Sequence, residues 1–159
     1  MRIAEPAEAE AITALINLAF QVEKFFIDGN RIDCAQVREL FRKGRFLVTD
    51  GEDALAGCVY VERRGARAYL GLLSVDPSQQ GQGLGARLVA AAEEHARAQN
   101  CEAMDLRIVN LREELPPFYR KLGYVETGGT PFTPDAGTRL PCHFIEMSKP
   151  LRAAAASIR

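Results

Sequence analysis

The chain has 159 residues, of which 47% are hydrophobic, and a formal net charge of −1. This length is enough for one well-buried core but not for two ordinary domains, so we expect one domain over 1–150 and a C-terminal tail over 151–159. The near-neutral charge and a pI near 6.2 provide no general attraction to nucleic acid or to an anionic membrane.

The cysteines and the start of the chain limit the class of protein further. The four cysteines are widely spaced and form no C-x-x-C pair, which favours reduced core thiols over a zinc site or a redox pair, so we expect no metal. The first residues carry early acids and no apolar run of signal-peptide length, and no stretch is apolar enough to span a bilayer. We therefore expect a cytoplasmic protein.

The first half of the chain predicts one strand, two helices and then three strands. "MRIAEP" is typical of a short strand, and "AEAEAITALINLAF" has apolar residues at helical spacing. Asp33 and Gln36 form a capping box before the second helix, "CAQVRELFRK", which Gly44 is expected to end. "RFLVTD", "ALAGCVYVERR" and "RAYLGLLSV" then predict an antiparallel meander.

The second half predicts two helices and three strands. The clearest helix has apolar residues at helical spacing and an i,i+4 ion pair of Glu93 with Arg97. "AMDLRIVN" predicts a strand, and "PPFYRKLG" a short helix that its prolines begin and Gly123 ends. Two strands, "YVETG" and "CHFIEMSKP", flank a loop over 128–141. The predicted fold class is α+β, a single mixed, mostly antiparallel sheet flanked by helices in the order β-α-α-β-β-β-α-β-α-β-β.

The stretch "SVDPSQQGQGLGARL" indicates an anion site at the start of that clearest helix. Its alternating glycines allow close backbone approach to a ligand, and the N–H groups of a helix N-terminus favour a phosphate. No Gly-Lys-Ser/Thr follows, which excludes a P-loop. Gly81, Gly83 and Ala86 also fit a dinucleotide-binding turn, but that turn belongs at the first strand of a doubly wound parallel sheet. A plain strand-to-helix turn without a ligand is the other alternative.

Two motifs together resemble those of the GNAT superfamily of N-acetyltransferases. "VDPSQQGQGLGARL" is similar to the family's acyl-CoA pyrophosphate loop, with Gln80, Gly83 and Gly85 at the matching positions. Asn110 and "FYRKLGY" resemble the family's second motif, an Asn after the fifth strand and a Tyr before "KLGF". The resemblance implies a GNAT-like fold and direct transfer of an acetyl group from acetyl-CoA to a primary amine of a small molecule or protein.

The resemblance also implies where acetyl-CoA binds, which is the place where strands four and five splay apart. The end of the fourth strand would pair with the pantetheine arm, and the glycine loop would hold the pyrophosphate through main-chain N–H groups. Asn110 would reach a pantetheine amide or only end its strand, and Phe118 would pack beside the cofactor. The implied cofactor-binding residues are Leu73, Ser74, Val75, Gln80, Gly81, Gln82, Gly83, Leu84, Gly85, Ala86, Asn110 and Phe118.

Two residues are candidates for the chemistry. Tyr119 matches the family tyrosine that protonates the leaving sulfur, because a phenol of pKa about 10 holds a proton that a thiolate of pKa about 8.5 can share. Its alternative is a packed core aromatic. The fourth strand lacks the Glu that serves many relatives as general base, so Glu23 is the candidate base, with a surface charge as its alternative. Acceptor specificity is expected from residues 21–31 and the loop 128–141.

Three function classes remain open after the sequence alone. The leading one is an acetyl-CoA-dependent N-acetyltransferase with an unidentified amine as its second partner. The others are a non-catalytic acyl-CoA-binding sensor of the same fold and an oxidoreductase that binds NAD at the glycine loop. The resemblance also allows a homodimer through the tail and the last strands.

Overall fold

The computed structural model describes residues 1–131 and 140–151. Its strands are β1 Arg2–Ile3, β2 Arg45–Asp50, β3 Leu55–Arg64, β4 Arg67–Val75, β5 Ala103–Val109, β6 Val125–Pro131 and β7 His143–Pro150. Its helices are α1 Ala9–Ala19, α2 Cys34–Lys43, α3 Leu84–Ala98 and α4 Leu115–Lys121, with 3₁₀ turns at Pro6–Glu8, Phe20–Glu23 and Pro77–Gln79. These elements follow the predicted order.

The described strands form one mixed sheet in the order β1-β2-β3-β4-β5-β7-β6. The β4–β5 pair is parallel, and the other neighbouring pairs are antiparallel. Because β5 lies beside β4 and is parallel to it, α3 has to cross over the sheet between them. The predicted meander β2–β3–β4 and the predicted α+β fold class are both confirmed.

The alternation of side chains along the strands builds a separate core on each face of the sheet. On one face Phe46 and Tyr60 pack beneath α1 and α2, together with Ile12 and Val37. On the other face α3 packs on the sheet, where its residues Leu88 and Ala92 share one buried cluster with the strand residues Val59, Leu70 and Met104. Each fully buried aliphatic or aromatic side chain contributes about 1.5–3 kcal/mol of transfer free energy. The two helical layers therefore hold the sheet between them.

The predicted signals at three helix ends are present in the structure. The Asp33 carboxylate accepts from the Gln36 amide at 2.7 Å and Gln36 accepts from the Asp33 amide at 2.9 Å, so the capping box is confirmed. Gly123 has a φ of +99°, the left-handed conformation predicted for it. Gly44 ends α2 as predicted, and its amide donates to the Leu40 carbonyl oxygen at 2.9 Å. Its backbone is extended, and a Cβ there would lie 2.5 Å from the Val61 carbonyl oxygen, so close strand packing requires glycine at this position.

The predicted loop over 128–141 is partly wrong. Its first residues, 128–131, continue β6 and pair with β7 as far as Pro131 opposite His143. The cross-strand partners in β7 override the glycines and prolines that favour a loop, because ladder hydrogen bonds outweigh local propensity. Residues 132–139 of the predicted loop lie outside the described residues.

Leu151, the first residue after the predicted domain boundary at 150, is packed against the domain. Leu151 is 4% exposed, and its amide donates to the Glu102 carbonyl oxygen at 2.9 Å. Residues 152–159 lie outside the described residues, and the division into a domain over 1–150 and a tail stays a prediction.

Glu93 has a partner that sequence spacing did not predict. Its carboxylate lies 3.9 Å from Arg97, but it is buried and lies 3.0 Å from the Lys149 ammonium. The Tyr124 hydroxyl donates to the same carboxylate at 2.9 Å. This buried group joins α3 to Tyr124 and to the last strand.

In the part of the chain that the structure describes, no helix combines the length and the apolar character needed to cross a membrane. Across residues 1–131 and 140–151, no three His, Cys, Asp or Glu side chains gather as metal ligands would. Cys58 and Cys101 are buried free thiols, and Cys34 and Cys142 are half-buried ones.

Candidate active site

The parallel strands β4 and β5 separate after a short paired segment. Their ladder joins Arg67–Tyr69 to Ala103–Asp105. Next along β4 is a bulge, where two residues, Leu72 and Leu73, stand opposite the single residue Val59 of β3, and Leu72 has a φ of +53°. A bulge bends its strand and increases its twist. The carboxyl-terminal halves of β4 and β5 therefore border a cleft, with a cavity on each side of it.

The glycine loop approaches the cleft with its backbone amides unused. Gly81 and Gly83 have φ values of +83° and +77°, a conformation that glycine adopts without strain. The Gln80 side chain donates to the Val75 carbonyl oxygen at 3.3 Å and ties the loop to β4. Within the described residues, no hydrogen bond satisfies the amides from Gln80 to Ala86. These amides and the N-terminal end of α3 form a site suited to a phosphate.

The cavity on this side of the cleft, here called the loop cavity, has a volume of about 420 Å³. It is bordered by the end of β4, the glycine loop, the first turn of α3 and one side of α4. Among its lining residues are the predicted cofactor residues Leu73, Val75, Gln80, Gly81, Gly83, Leu84, Gly85, Ala86 and Phe118. Sequence reasoning missed four others that line it, which are Gln79, Arg112, Glu114 and Leu115.

Three predicted cofactor residues direct their side chains elsewhere. The buried Ser74 hydroxyl donates to the Leu72 carbonyl oxygen at 2.9 Å, within the bulge. Gln82 is exposed and borders a different surface groove. The Asn110 side-chain oxygen accepts from the backbone N–H of His143 at 2.8 Å. The backbone N–H of Asn110 donates in turn to the His143 carbonyl oxygen at 2.9 Å. Asn110 thus joins the ends of β5 and β7, which is the strand-ending alternative considered for it.

Tyr119 belongs to the buried core and does not itself line the loop cavity, although its neighbour Phe118 does. It is 4% exposed, and its ring centroid lies 5.0 Å from that of Phe118 and 5.7 Å from that of Tyr124. Burial raises the pKa of Tyr119 above its ordinary value, and the nearby Arg112 guanidinium opposes this shift. Because its pKa is raised, Tyr119 keeps its proton at neutral pH. Among the described residues none hydrogen-bonds the hydroxyl group, so this proton is available for donation.

Glu23 lies on the other side of the cleft, in a cavity of about 490 Å³ that we call the Glu23 cavity. Residues from the α1–α2 connection, α2, β4, β5, α4 and β7 line it, and Leu115 borders both cavities. The lining residues are Phe20, Glu23, Ile27, Asn30, Arg31, Gln36, Tyr69, Gly71, Leu72, Arg107, Ile108, Val109, Leu115 and Phe144.

The surface-charge alternative for Glu23 is wrong, because this residue is only 7% exposed. One carboxylate oxygen lies 2.8 Å from Nη1 of Arg112, whose Nε donates to Glu114 at 2.9 Å. Burial raises the pKa of Glu23, and its hydrogen bond to Arg112 opposes that shift. Arg112 therefore borders the loop cavity and pairs with a residue of the Glu23 cavity. Its only signal in the sequence is its position, two residues after Asn110.

Comparison with known proteins identifies the family. Residues 18–149 match a family model described as an acetyltransferase (GNAT) domain. Since this match covers most of the chain, the protein belongs to the GNAT acetyltransferase family. The resemblance drawn from the two sequence motifs is confirmed, and the dinucleotide-binding alternative fails because the loop follows an antiparallel meander.

Part of the chain is also similar to a curated protein. Glucosamine 6-phosphate N-acetyltransferase 1 of Oryza sativa subsp. japonica is 40% identical over 81 residues. The match covers 48% of this chain and 47% of the rice protein, so the chain matches about half the length of that relative.

Solved structures share the fold over nearly the whole chain. A nourseothricin acetyltransferase superposes with a TM-score of 0.74 at 25% identity, covering 95% of this chain and 97% of the other. The protein yncA of Salmonella typhimurium, solved with its cofactor acetyl-CoA, has a TM-score of 0.75 at 20% identity. That comparison covers 97% of this chain and 94% of the Salmonella protein. The GNAT-like fold is thereby confirmed.

Proposed function

We propose that the protein transfers an acetyl group from acetyl-CoA directly to a primary amine of a small molecule or protein. The observation that carries the proposal is the β4–β5 cleft, which has the loop cavity on one side and the Glu23 cavity on the other. A donor in the first cavity and an amine in the second would meet at Leu115, which borders both.

The loop cavity suits acetyl-CoA in three chemical respects. Free amides at the N-terminal end of α3 would bind the pyrophosphate without a lysine. Beyond Tyr69 the β4 edge has no partner strand in β5, so the amide groups of pantetheine would pair with the backbone of Leu73–Val75. The Phe118 ring adds apolar contact area beside them. Together these features support an acyl-CoA donor.

The proposed reaction forms one C–N bond and breaks one C–S bond. A neutral amine attacks the thioester carbon, and the tetrahedral intermediate collapses with loss of the CoA thiolate. Tyr119 gives its proton to the departing sulfur, and the positive charge of nearby Arg112 lowers the cost of the phenolate that results. Glu23 accepts the proton that the amine loses. No acyl-enzyme forms, so no cysteine nucleophile is needed.

The decisive experiment measures two quantities with the purified protein, acetyl-CoA binding by calorimetry and CoA release in an amine panel. The panel contains glucosamine 6-phosphate and nourseothricin, which name the two relatives, together with polyamines, amino acids and peptides with free N-termini. We expect micromolar-range binding and turnover with at least one amine. Binding without turnover of any amine would favour the acyl-CoA sensor, and tight NADH binding without acetyl-CoA binding would revive the oxidoreductase.

Location and assembly stay predictions that accompany this function. We expect the protein in the cytoplasm, which cell fractionation tests, and a homodimer through the last strands, which light scattering after size exclusion tests. Neither outcome alters the chemistry proposed at the cleft.

A further inference from the structure

We propose that the acceptor amine also carries an anionic group, a carboxylate or a phosphate, which Arg31 and Arg107 bind. This inference rests on the proposed function and narrows it to a class of small molecules. It begins from the charges that line the Glu23 cavity, which belong to Glu23, Arg31 and Arg107.

The negative charge of this cavity is already paired. Glu23 lies 2.8 Å from Arg112, which approaches from outside the cavity lining. Arg31 attracts Glu23 only at longer range, so two arginines line the cavity against one carboxylate that Arg112 already pairs, and the lining has an excess of positive charge. A polycationic acceptor would be repelled there, whereas an anion would be attracted.

Arg31 and Arg107 form no ion pair with any described carboxylate within 4.0 Å. Glu146 faces Arg107 in the β5–β7 register but does not reach it. Asp105, two residues away on β5, is bound by Arg67 at 2.6 Å. The nearby acids are thus engaged or out of range, and the two guanidinium groups keep their hydrogen-bond donors for a ligand.

Aromatic rings hold both guanidinium groups at the cavity wall. Cζ of Arg31 lies 5.5 Å from the ring centroid of Phe20, and Cζ of Arg107 lies 4.3 Å from that of Phe144. Both phenylalanines line the same cavity. A guanidinium over a ring keeps its N–H edge free, and that edge matches a carboxylate or a phosphate bidentately.

The position of Arg107 on β5 also indicates the length of the acceptor. Arg107 lies near the end of β4–β5 pairing at Asp105, while Val109 and Leu115 lie towards the open cleft. At about 3.3 Å per residue, Arg107 and Val109 are separated by about 7 Å along the strand. A cavity of about 490 Å³ is within the usual size for a small ligand. An amine separated from its anion by a few bonds would span this distance.

The test compares amines in pairs that differ only in the anion. Glucosamine 6-phosphate against glucosamine and phosphoethanolamine against ethanolamine probe a phosphate, and L-alanine against L-alaninamide probes a carboxylate. We expect kcat/KM to favour the anionic member of at least one set by about tenfold to hundredfold, as charge-assisted hydrogen bonds allow. The set that shows the preference identifies which anion is bound. Equal rates within every pair, or a preference for spermidine, would overturn the inference.

Two variants assign the preference to residues. Arg31→Gln and Arg107→Gln should each reduce the ratio of kcat/KM between anionic and neutral members towards one, mainly through KM. Arg38→Gln is the matched control, because Arg38 is an exposed arginine on α2 outside both cavities. Variants that slow both members equally and keep the ratio would show a structural role and overturn the inference.

Direct binding separates this inference from the proposed function. Calorimetry with glucosamine 6-phosphate and phosphoethanolamine needs no turnover. Binding to the wild type that the double variant R31Q/R107Q loses, without CoA release from any amine, would support the anion site and overturn the transferase. Turnover confined to neutral or cationic amines would support the transferase and overturn the anion site.

Discussion

The loop cavity and the Glu23 cavity border the same cleft but are built in different ways. Most of the loop cavity comes from one continuous stretch, from Leu73 to Ala86, whose contribution to binding consists mainly of free backbone amides. The Glu23 cavity is lined by side chains from six elements or connections that lie far apart in the sequence.

This difference explains which part of the site can be predicted from the sequence. A backbone amide is the same in every residue, so a site made of amides constrains the glycines that expose them and the helix that follows. A site made of side chains constrains identities at distant positions, and nothing local relates Glu23 to Arg107. The proposed donor site therefore has a motif, and the proposed acceptor site has none.

The largest effect is expected at Tyr119, the candidate acid, which lies beside Phe118 of the loop cavity. Tyr119→Phe removes only the hydroxyl, so kcat should fall by about 10²- to 10⁴-fold, the usual contribution of a general acid, while acetyl-CoA affinity is kept. Steady-state kinetics and calorimetry measure the two quantities. Tyr124→Phe is the matched control, since its buried hydroxyl binds Glu93 and its loss should cost about 1 kcal/mol of stability instead. A wild-type kcat in Tyr119→Phe would make Tyr119 a core aromatic only.

The next largest effect is expected at Glu23, the candidate base in the Glu23 cavity. A base acts when deprotonated, and burial raises the pKa of Glu23 above 4.5, so activity should fall as the pH decreases through that raised pKa. Glu23→Gln should remove this acid limb and lower kcat/KM by about 100-fold, the low end for a general base. Glu114→Gln, which removes the other carboxylate on Arg112, should retain the limb. An unchanged pH–rate profile in Glu23→Gln would exclude Glu23 as the base.

The backbone origin of the loop cavity predicts a smaller effect at Gly83. Gly83 has a φ of +77°, and a valine there would be strained by about 1–2 kcal/mol. Gly83→Val should therefore weaken acetyl-CoA binding by about tenfold in calorimetry. Gln82→Ala, next to it with an exposed side chain, should change affinity less than about twofold. Equal losses in the two variants would show that side chains of the loop bind the donor.

The smallest effect is expected at the closed end of the cleft. Two hydrogen bonds of 2.6 and 2.7 Å join Arg67 to Asp105, and they lower the pKa of Asp105 below 3.8. The stabilisation is therefore present above the unfolded pKa of about 3.9 and is lost as the pH falls through the lower folded value. Both side chains are partly exposed, so Asp105→Asn should cost less than about 1 kcal/mol.

Urea unfolding of wild type and Asp105→Asn checks this at about pH 7 and about pH 2. The difference in unfolding free energy should be present at the higher pH and vanish at the lower one. A difference that does not change with pH would assign the effect of the substitution to packing rather than to charge.

Most of the fold could be predicted because local signals and tertiary contacts agree. The Asp33–Gln36 box and the apolar periods of α1 and α3 act within one turn of helix, so the sequence alone reveals them. The error at residues 128–131 occurs where a distant residue decides, because β7 pairs with them and makes them a strand. The contact with Val61 that requires glycine at position 44 also comes from a distant strand.

In the candidate site, too, local features could be predicted from the sequence and long-range contacts could not. By itself the sequence determined the order of elements, the glycine loop with its free amides, and the positions of Tyr119 and Phe118 on a helix that prolines begin. The tertiary structure alone decided that Glu23 is buried, that Arg112 pairs with it, and that Arg31 and Arg107 line one cavity. The physical reason is that backbone geometry follows from neighbouring residues, whereas burial and pairing of charges depend on segments that only folding brings together.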